Sequence, residues 1–178
     1  MRKVFAAIGG VLVLAIAAVL VLAAMKPDVF SIQRSIAIKA PPGKIFALIG
    51  DLRAFAQWSP FEKKDPDMKR AYTGAPTGKG QVYEWDGNNN IGAGRLIIAD
   101  AAEPSKVTMQ LEMTRPMEAH NMVDFTLAPN GDTTTVTWAM RGQTPFLGKI
   151  LHVFMDMDRM VGRDFEAGLA DLKTIAEK

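Results

Sequence analysis

Few side chains in this sequence could do chemistry. It has no Cys, and His120 and His152 are its only histidines. The lack of Cys excludes disulfides, thiolate metal sites and thiol redox chemistry. Neither histidine has a second ligand at metal spacing, and Gly78-Lys79-Gly80 and Gly92-Ala93-Gly94 are too short to cradle a nucleotide phosphate. No metal and no cofactor is expected. Proton transfer would have to come from Tyr83, Asn121, Arg34 or Glu84, as a general acid or base with a donor that polarises a carbonyl. No histidine and no carboxylate pair joins them on one strand face, so the chemistry on offer is sparse.

The elements that must position these residues are mostly strands. Phe30 to Ile38 alternates, with apolar residues at 30, 32, 36 and 38. Pro41-Pro42-Gly43 opens a helix whose apolar face is Ile45, Phe46, Leu48 and Ile49, since proline is tolerated in a first turn. Asp51 can cap a second short helix from Leu52 to Gln57. From about 68 to 142 the chain reads as strands between turn signals, with Lys106 to Met113 the cleanest alternation and Asn130-Gly131 the strongest hairpin signal. A long amphipathic helix closes the chain, with apolar residues from Leu147 to Ile175 three or four apart. Its glycines 148, 162 and 168 predict a kink or break before about 156. The predicted class is α+β: an antiparallel sheet with one apolar face, covered by the terminal helix.

Strand parity sorts the side chains. Tyr83, Trp85, Met109, Leu111, Asn121, Phe125 and Trp138 fall on the inward face, while His120 and Asp124 fall on the opposite one. Trp85 and Trp138 are either core packing or a stacking wall for a flat apolar ligand. Met155, Met157 and Met160 have the same two readings, because unbranched Met suits a pocket that admits several shapes. Arg34 shares parity with Ile36 and Ile38. It is either an inward charge that needs a carboxylate partner, or a mouth residue with a buried stem and a wet head.

The first 25 residues have a different character. Val4 to Met25 holds only Val, Phe, Ala, Ile, Gly, Leu and Met, between Arg2-Lys3 and Lys26-Pro27-Asp28. As a helix it would be roughly 33 Å long, enough to cross a hydrocarbon core of about 30 Å. It reads as a membrane anchor over residues 1–27, ahead of a domain over 28–178. A signal peptide cut after Ala15-Ile16-Ala17 is the competing reading, although Val19 to Met25 stays apolar beyond that site. Arg2 and Lys3 favour an inside N-terminus, which puts the domain on the outer side as a single-pass membrane protein. Two of the 21 Lys and Arg precede the apolar run, leaving 19 against 19 Asp and Glu in the rest. So balanced a domain argues against nucleic acid as a partner.

Several landmarks occur together and in order. They are Arg34-Ser35-Ile36, Ala40-Pro41-Pro42, Ile45-Phe46, Asp51 with Trp58-Ser59-Pro60, Gly78-Lys79-Gly80, Tyr83-Glu84-Trp85, Gly92-Ala93-Gly94, Thr135-Val136-Thr137-Trp138, and Met157 to Leu169. In this the sequence resembles the SRPBCC (START/birch-allergen-like) superfamily over about residues 29–178, and most of all its polyketide cyclase/dehydrase-type members. The resemblance implies a helix-grip fold, a curved antiparallel sheet wrapped round the C-terminal helix with a cavity between them. That fold serves many activities. Three functions follow. The first is a membrane-tethered binding module for a lipid-like or other hydrophobic small molecule, lined by Tyr83, Trp85, Met109, Leu111, Asn121, Phe125, Trp138 and Met157, with no catalytic residue. The second is a cyclase/dehydratase-type enzyme using the same cavity. The third is an interaction domain with a protein partner, whose mark would be an exposed apolar patch.

Overall fold

The structure, a computed structural model, describes residues 2–178, with side chains from Ile8 onward. Helix α1 (Arg2–Ala24) leads into β1 (Val29–Ile38), and two short helices follow, α2 (Pro42–Ile49) and α3 (Leu52–Phe55). A 3-10 turn (Glu62–Lys64) precedes six strands: β2 (Lys69–Gly74), β3 (Gln81–Asp86), β4 (Ala93–Ala102), β5 (Lys106–Arg115), β6 (Ala119–Asn130) and β7 (Thr133–Gln143). Helices α4 (Phe146–Phe154) and α5 (Met157–Ala176) end the chain. The strands form one antiparallel sheet of order β1-β7-β6-β5-β4-β3-β2, so the first strand pairs with the last. This is the α+β, helix-grip arrangement: α5 packs against β1 and β7, with α2 beside it.

Local chemistry explains the boundaries. Pro42 stands in the first turn of α2, and the Asp51 carboxylate accepts from the Arg53 backbone N–H at the start of α3. The β6–β7 turn is two residues long, with Gly131 at φ +62°. The break near 156 has a different cause from the one expected. The glycines lie inside α4 and α5, whereas Met155 is extended and Asp156 restarts the chain as the N-cap of α5, accepting from the Arg159 N–H. α4 is thus a separate helix.

Register arranges the inward side chains in rows across the sheet. Val107, Phe125 and Trp138 form one row and Ile98, Met109, Val123, Met140 and Ile32 the next, all buried. Beneath both lies α5, with Phe165, Leu169 and Leu172 buried against them. Trp138 stacks on Phe165 at 4.1 Å and 9°, while Phe55 and Trp58 meet it edge-on. Close approach of α5 depends on Gly168, where a Cβ would sit 2.8 Å from both Trp138 and Pro60. The following rows, Leu111–Asn121–Gly142–Phe30 and Trp85–Gly94–Met113, are only half-buried. The concave face therefore has a filled half, under α5, and an open half toward α4.

Among the described residues no helix is long and apolar enough to cross a membrane. The expected span Val4–Met25 begins among residues whose side chains lie outside the described ones, so the structure does not show the predicted transmembrane helix. What it does show is α1 packed on α4, with Ile150 lining a cleft between them together with Ala15, Ile16, Val19 and Leu20.

Candidate functional site

A groove of about 630 Å³ lies between the start of β1 and the α4–α5 junction. Its floor is the start of β1, with Phe30 and Ile32; its wall is the segment from His152 to Asp158, including Met157. Phe30 also belongs to the half-buried row through Leu111 and Asn121, so the groove meets the open half of the concave face. Thr144 closes the groove just beyond β7. Its backbone N–H donates to the Asp28 carbonyl at 2.8 Å, but its hydroxyl is buried with no hydrogen-bond partner. An unmatched buried hydroxyl costs about 1–3 kcal/mol. Its neighbours cover it from the groove, so the polar atom of a ligand would meet it only by displacing them.

The eight residues predicted to line a binding site do not stay together. Met109, Phe125 and Trp138 are buried in the filled rows, where aromatic and aliphatic neighbours surround them. Leu111, Asn121 and Trp85 lie in the open half. Trp85 can cover Gly94, and Asn121 can cover Gly142, only because neither glycine has a side chain there. Met157 and the more exposed Met155 are on the groove wall, whereas Met160 is exposed and lines neither groove nor core. Glu84 is exposed on the outer face.

Tyr83 is inward and buried, but its hydroxyl is occupied. It donates a short hydrogen bond to Glu62, whose carboxylate also receives Arg70 Nε at 2.8 Å. Tyr72 stacks on Tyr83 at 5.0 Å, and Arg53 lies 4.5 Å over the Tyr72 ring. Burial first, and then the bond to Glu62, push the Tyr83 pKa well above its ordinary value. The phenol stays protonated near neutrality and ties the 3-10 turn to β3.

Arg34 is equally committed. Its guanidinium forks onto Asp158 at 3.0 and 3.1 Å, reaches Glu166 at 2.7 Å, and lies where a Cβ on Gly162 would stand. Both carboxylates come from α5, so the inward charge has found the partners it needs and pins α5 to β1. The hydrogen bond from Arg34 holds the Asp158 carboxyl below its usual range. Asp124 is on the convex face, as parity places it, yet it is buried, because Lys106, Arg141 and Thr108 close over it. Burial raises its pKa, but the Thr108 and Lys106 hydrogen bonds and the two cations outweigh that and lower it. Among the described residues no cluster of three acidic or histidine side chains is placed to hold a metal.

Comparison with known families matches residues 29–177 to the family described as polyketide cyclase / dehydrase and lipid transport. The chain belongs to this family. No curated protein matches the sequence. Solved structures confirm the fold. The Chromobacterium violaceum protein CV1439 is 13% identical with a TM-score of 0.60, covering 86% of this chain and 99% of that one. The Aha1 dimer from Colwellia psychrerythraea is 18% identical with a TM-score of 0.59, over 83% and 96%. BexL, a di-domain ARO/CYC protein of the BE-7585A biosynthetic pathway, is 13% identical with a TM-score of 0.60, over 88% and 53%.

For this member of the polyketide cyclase / dehydrase and lipid transport family, sequence reasoning missed Thr144, His152 and Phe30 as groove residues. Thr144 stands before Pro145 and reads as the end of a strand; nothing local marks its hydroxyl as unpaired. Phe30 follows the strand parity, but its place at the open end depends on pairing with Gly142, more than 100 residues away.

Proposed function

We propose that this chain is a membrane-tethered binding module for a lipid-like or other hydrophobic small molecule. The ligand lies in the groove between the start of β1 and the α4–α5 segment. Its apolar part rests against Phe30, Ile32 and Met157, and its polar atom meets Thr144 once the atoms covering that hydroxyl are displaced. The observation that carries this reading is a groove that joins the apolar side chains Phe30, Ile32 and Met157 to Thr144, whose buried hydroxyl lacks a hydrogen-bond partner. Family membership, with lipid transport in its description, supports it. The uninterrupted Val4–Met25 run supports the tether over residues 1–27, with the domain 28–178 on the outer side. Of the groups weighed for a cyclase or dehydratase reaction, Tyr83 and Arg34 are held by carboxylates, which favours the binding reading.

The test uses the detergent-solubilised full chain with a fluorescent fatty alcohol and its hydrocarbon analogue. The parent chain should bind both stoichiometrically, the alcohol more tightly. Thr144→Val should weaken the alcohol by roughly 2- to 12-fold, the equivalent of one net hydrogen bond of about 0.5–1.5 kcal/mol, and leave the hydrocarbon unchanged. The variant's stability should be unchanged or higher, since the lost hydroxyl was unpaired. Absence of stoichiometric binding to the parent chain would end this reading.

A further inference from the structure

We infer that α4 is a second membrane element, inserted into the lipid leaflet beside α1, so that the groove exchanges its ligand with the bilayer directly. This inference rests on the tether proposed above. Topology brings the two helices together: α1 enters the sheet through β1 and α4 leaves it through β7, neighbouring strands whose ends pair at Val29 and Gln143. α4 packs on α1, and Ile150 lines a cleft between them together with Ala15, Ile16, Val19 and Leu20. Those positions lie roughly 8–15 Å along the helix from Met25, within one leaflet of a core about 30 Å thick.

The outer face of α4 suits hydrocarbon. Leu147, Leu151 and Phe154 form one stripe at helical spacing, and Leu147 is 61% and Phe154 71% exposed. The only charged residue of α4, Lys149, does not interrupt that stripe. It is buried, and its ammonium reaches Asp28, at the polar level where α1 has just ended. α4 thus carries no uncompensated formal charge beside an apolar helix, which favours a lipid partner over a protein surface with a polar rim. The last residues of α4, His152 to Phe154, also form the groove wall, so lipid around α4 would reach the groove mouth.

The absence of Cys allows single-site spin labelling of the full chain in phosphatidylcholine vesicles. Labels go at Val13 in α1, at Leu147 and Phe154 in α4, and at Asp132 in the β6–β7 turn at the opposite end of β7. Collision with oxygen and with a water-soluble nickel complex is then read by power saturation. The labels at Leu147 and Phe154 should resemble the one at Val13, open to oxygen and shielded from nickel, and Asp132 should show the reverse. Nickel-accessible α4 labels beside a lipid-shielded Val13 would overturn the inference and leave the tether standing. Nickel-accessible labels at all three helical positions would overturn both. Labels on α4 shielded from both reagents would mean a protein contact, and would also overturn the inference.

Discussion

Trp138→Ala tests whether the aromatic half of the sheet is filled core or ligand wall. A buried indole removes about 150–250 Å² from water, worth roughly 4–6 kcal/mol at about 25 cal/mol/Å², and Ala retains only a small part of that. Trp138 is 3% exposed and touches Phe165, Phe125, Trp58 and Phe55, large rings held by their own neighbours. The hole left by truncation would therefore collapse little, which places the loss in the usual range of about 3–5 kcal/mol. One feature opposes this. The indole Nε1 is buried without a partner, and removing it should recover about 1–3 kcal/mol. The expected net loss is about 2 kcal/mol, or roughly 4–8 °C in Tm for a domain of about 150 residues. Trp138→Phe keeps a ring on Phe165 and removes the unpaired N–H, so it should cost much less. Thermal unfolding of the detergent-solubilised full chain by near-UV circular dichroism gives both values, and fluorescent-alcohol binding should survive in each variant. A loss below about 1 kcal/mol, or abolished binding at unchanged Tm, would refute the filled-core reasoning and restore Trp138 as a ligand wall.

Two further outcomes follow from the polar clusters. Tyr83→Phe leaves the Glu62 carboxylate with Arg70 as its remaining side-chain partner, and should cost roughly 1.5–3 kcal/mol, the usual worth of a hydrogen bond to a charged group. Ligand binding should be unaffected; loss of binding with no change in Tm would make Tyr83 a site residue after all. Asp124 has a depressed pKa in the folded protein, so its contribution is present above its unfolded value and lost as pH falls through the lower folded one. Tm measured from pH 6 downward should fall below about pH 4, and less steeply in Asp124→Asn. An identical acid slope in the variant would show that Asp124 is not the group responsible.

Much of the fold was legible because its signals are local. Alternation in Lys106 to Met113, the Asn130-Gly131 turn, Pro42 and the Asp51 cap each follow from chain geometry over a few residues, and each marks the element found. Parity also identified the inward face, since a strand can present a side chain to only two sides. It could not say how deep each inward residue would lie. Met109 and Leu111 have the same parity in one strand, yet one is buried and the other half-open, because Phe165 and its α5 neighbours cover only part of the sheet. The carboxylates that hold Arg34, the glycines that admit Trp85 and Asn121, and the lack of a partner for Thr144 all involve residues distant in sequence. So does the pairing of α1 with α4, which exists because β1 and β7 are neighbours. The sequence by itself determined the elements, their inward faces and the apolar N-terminal run. Only the tertiary structure decided which inward residues are core and which line a groove, because burial depends on what packs against a face and not on which way a side chain points.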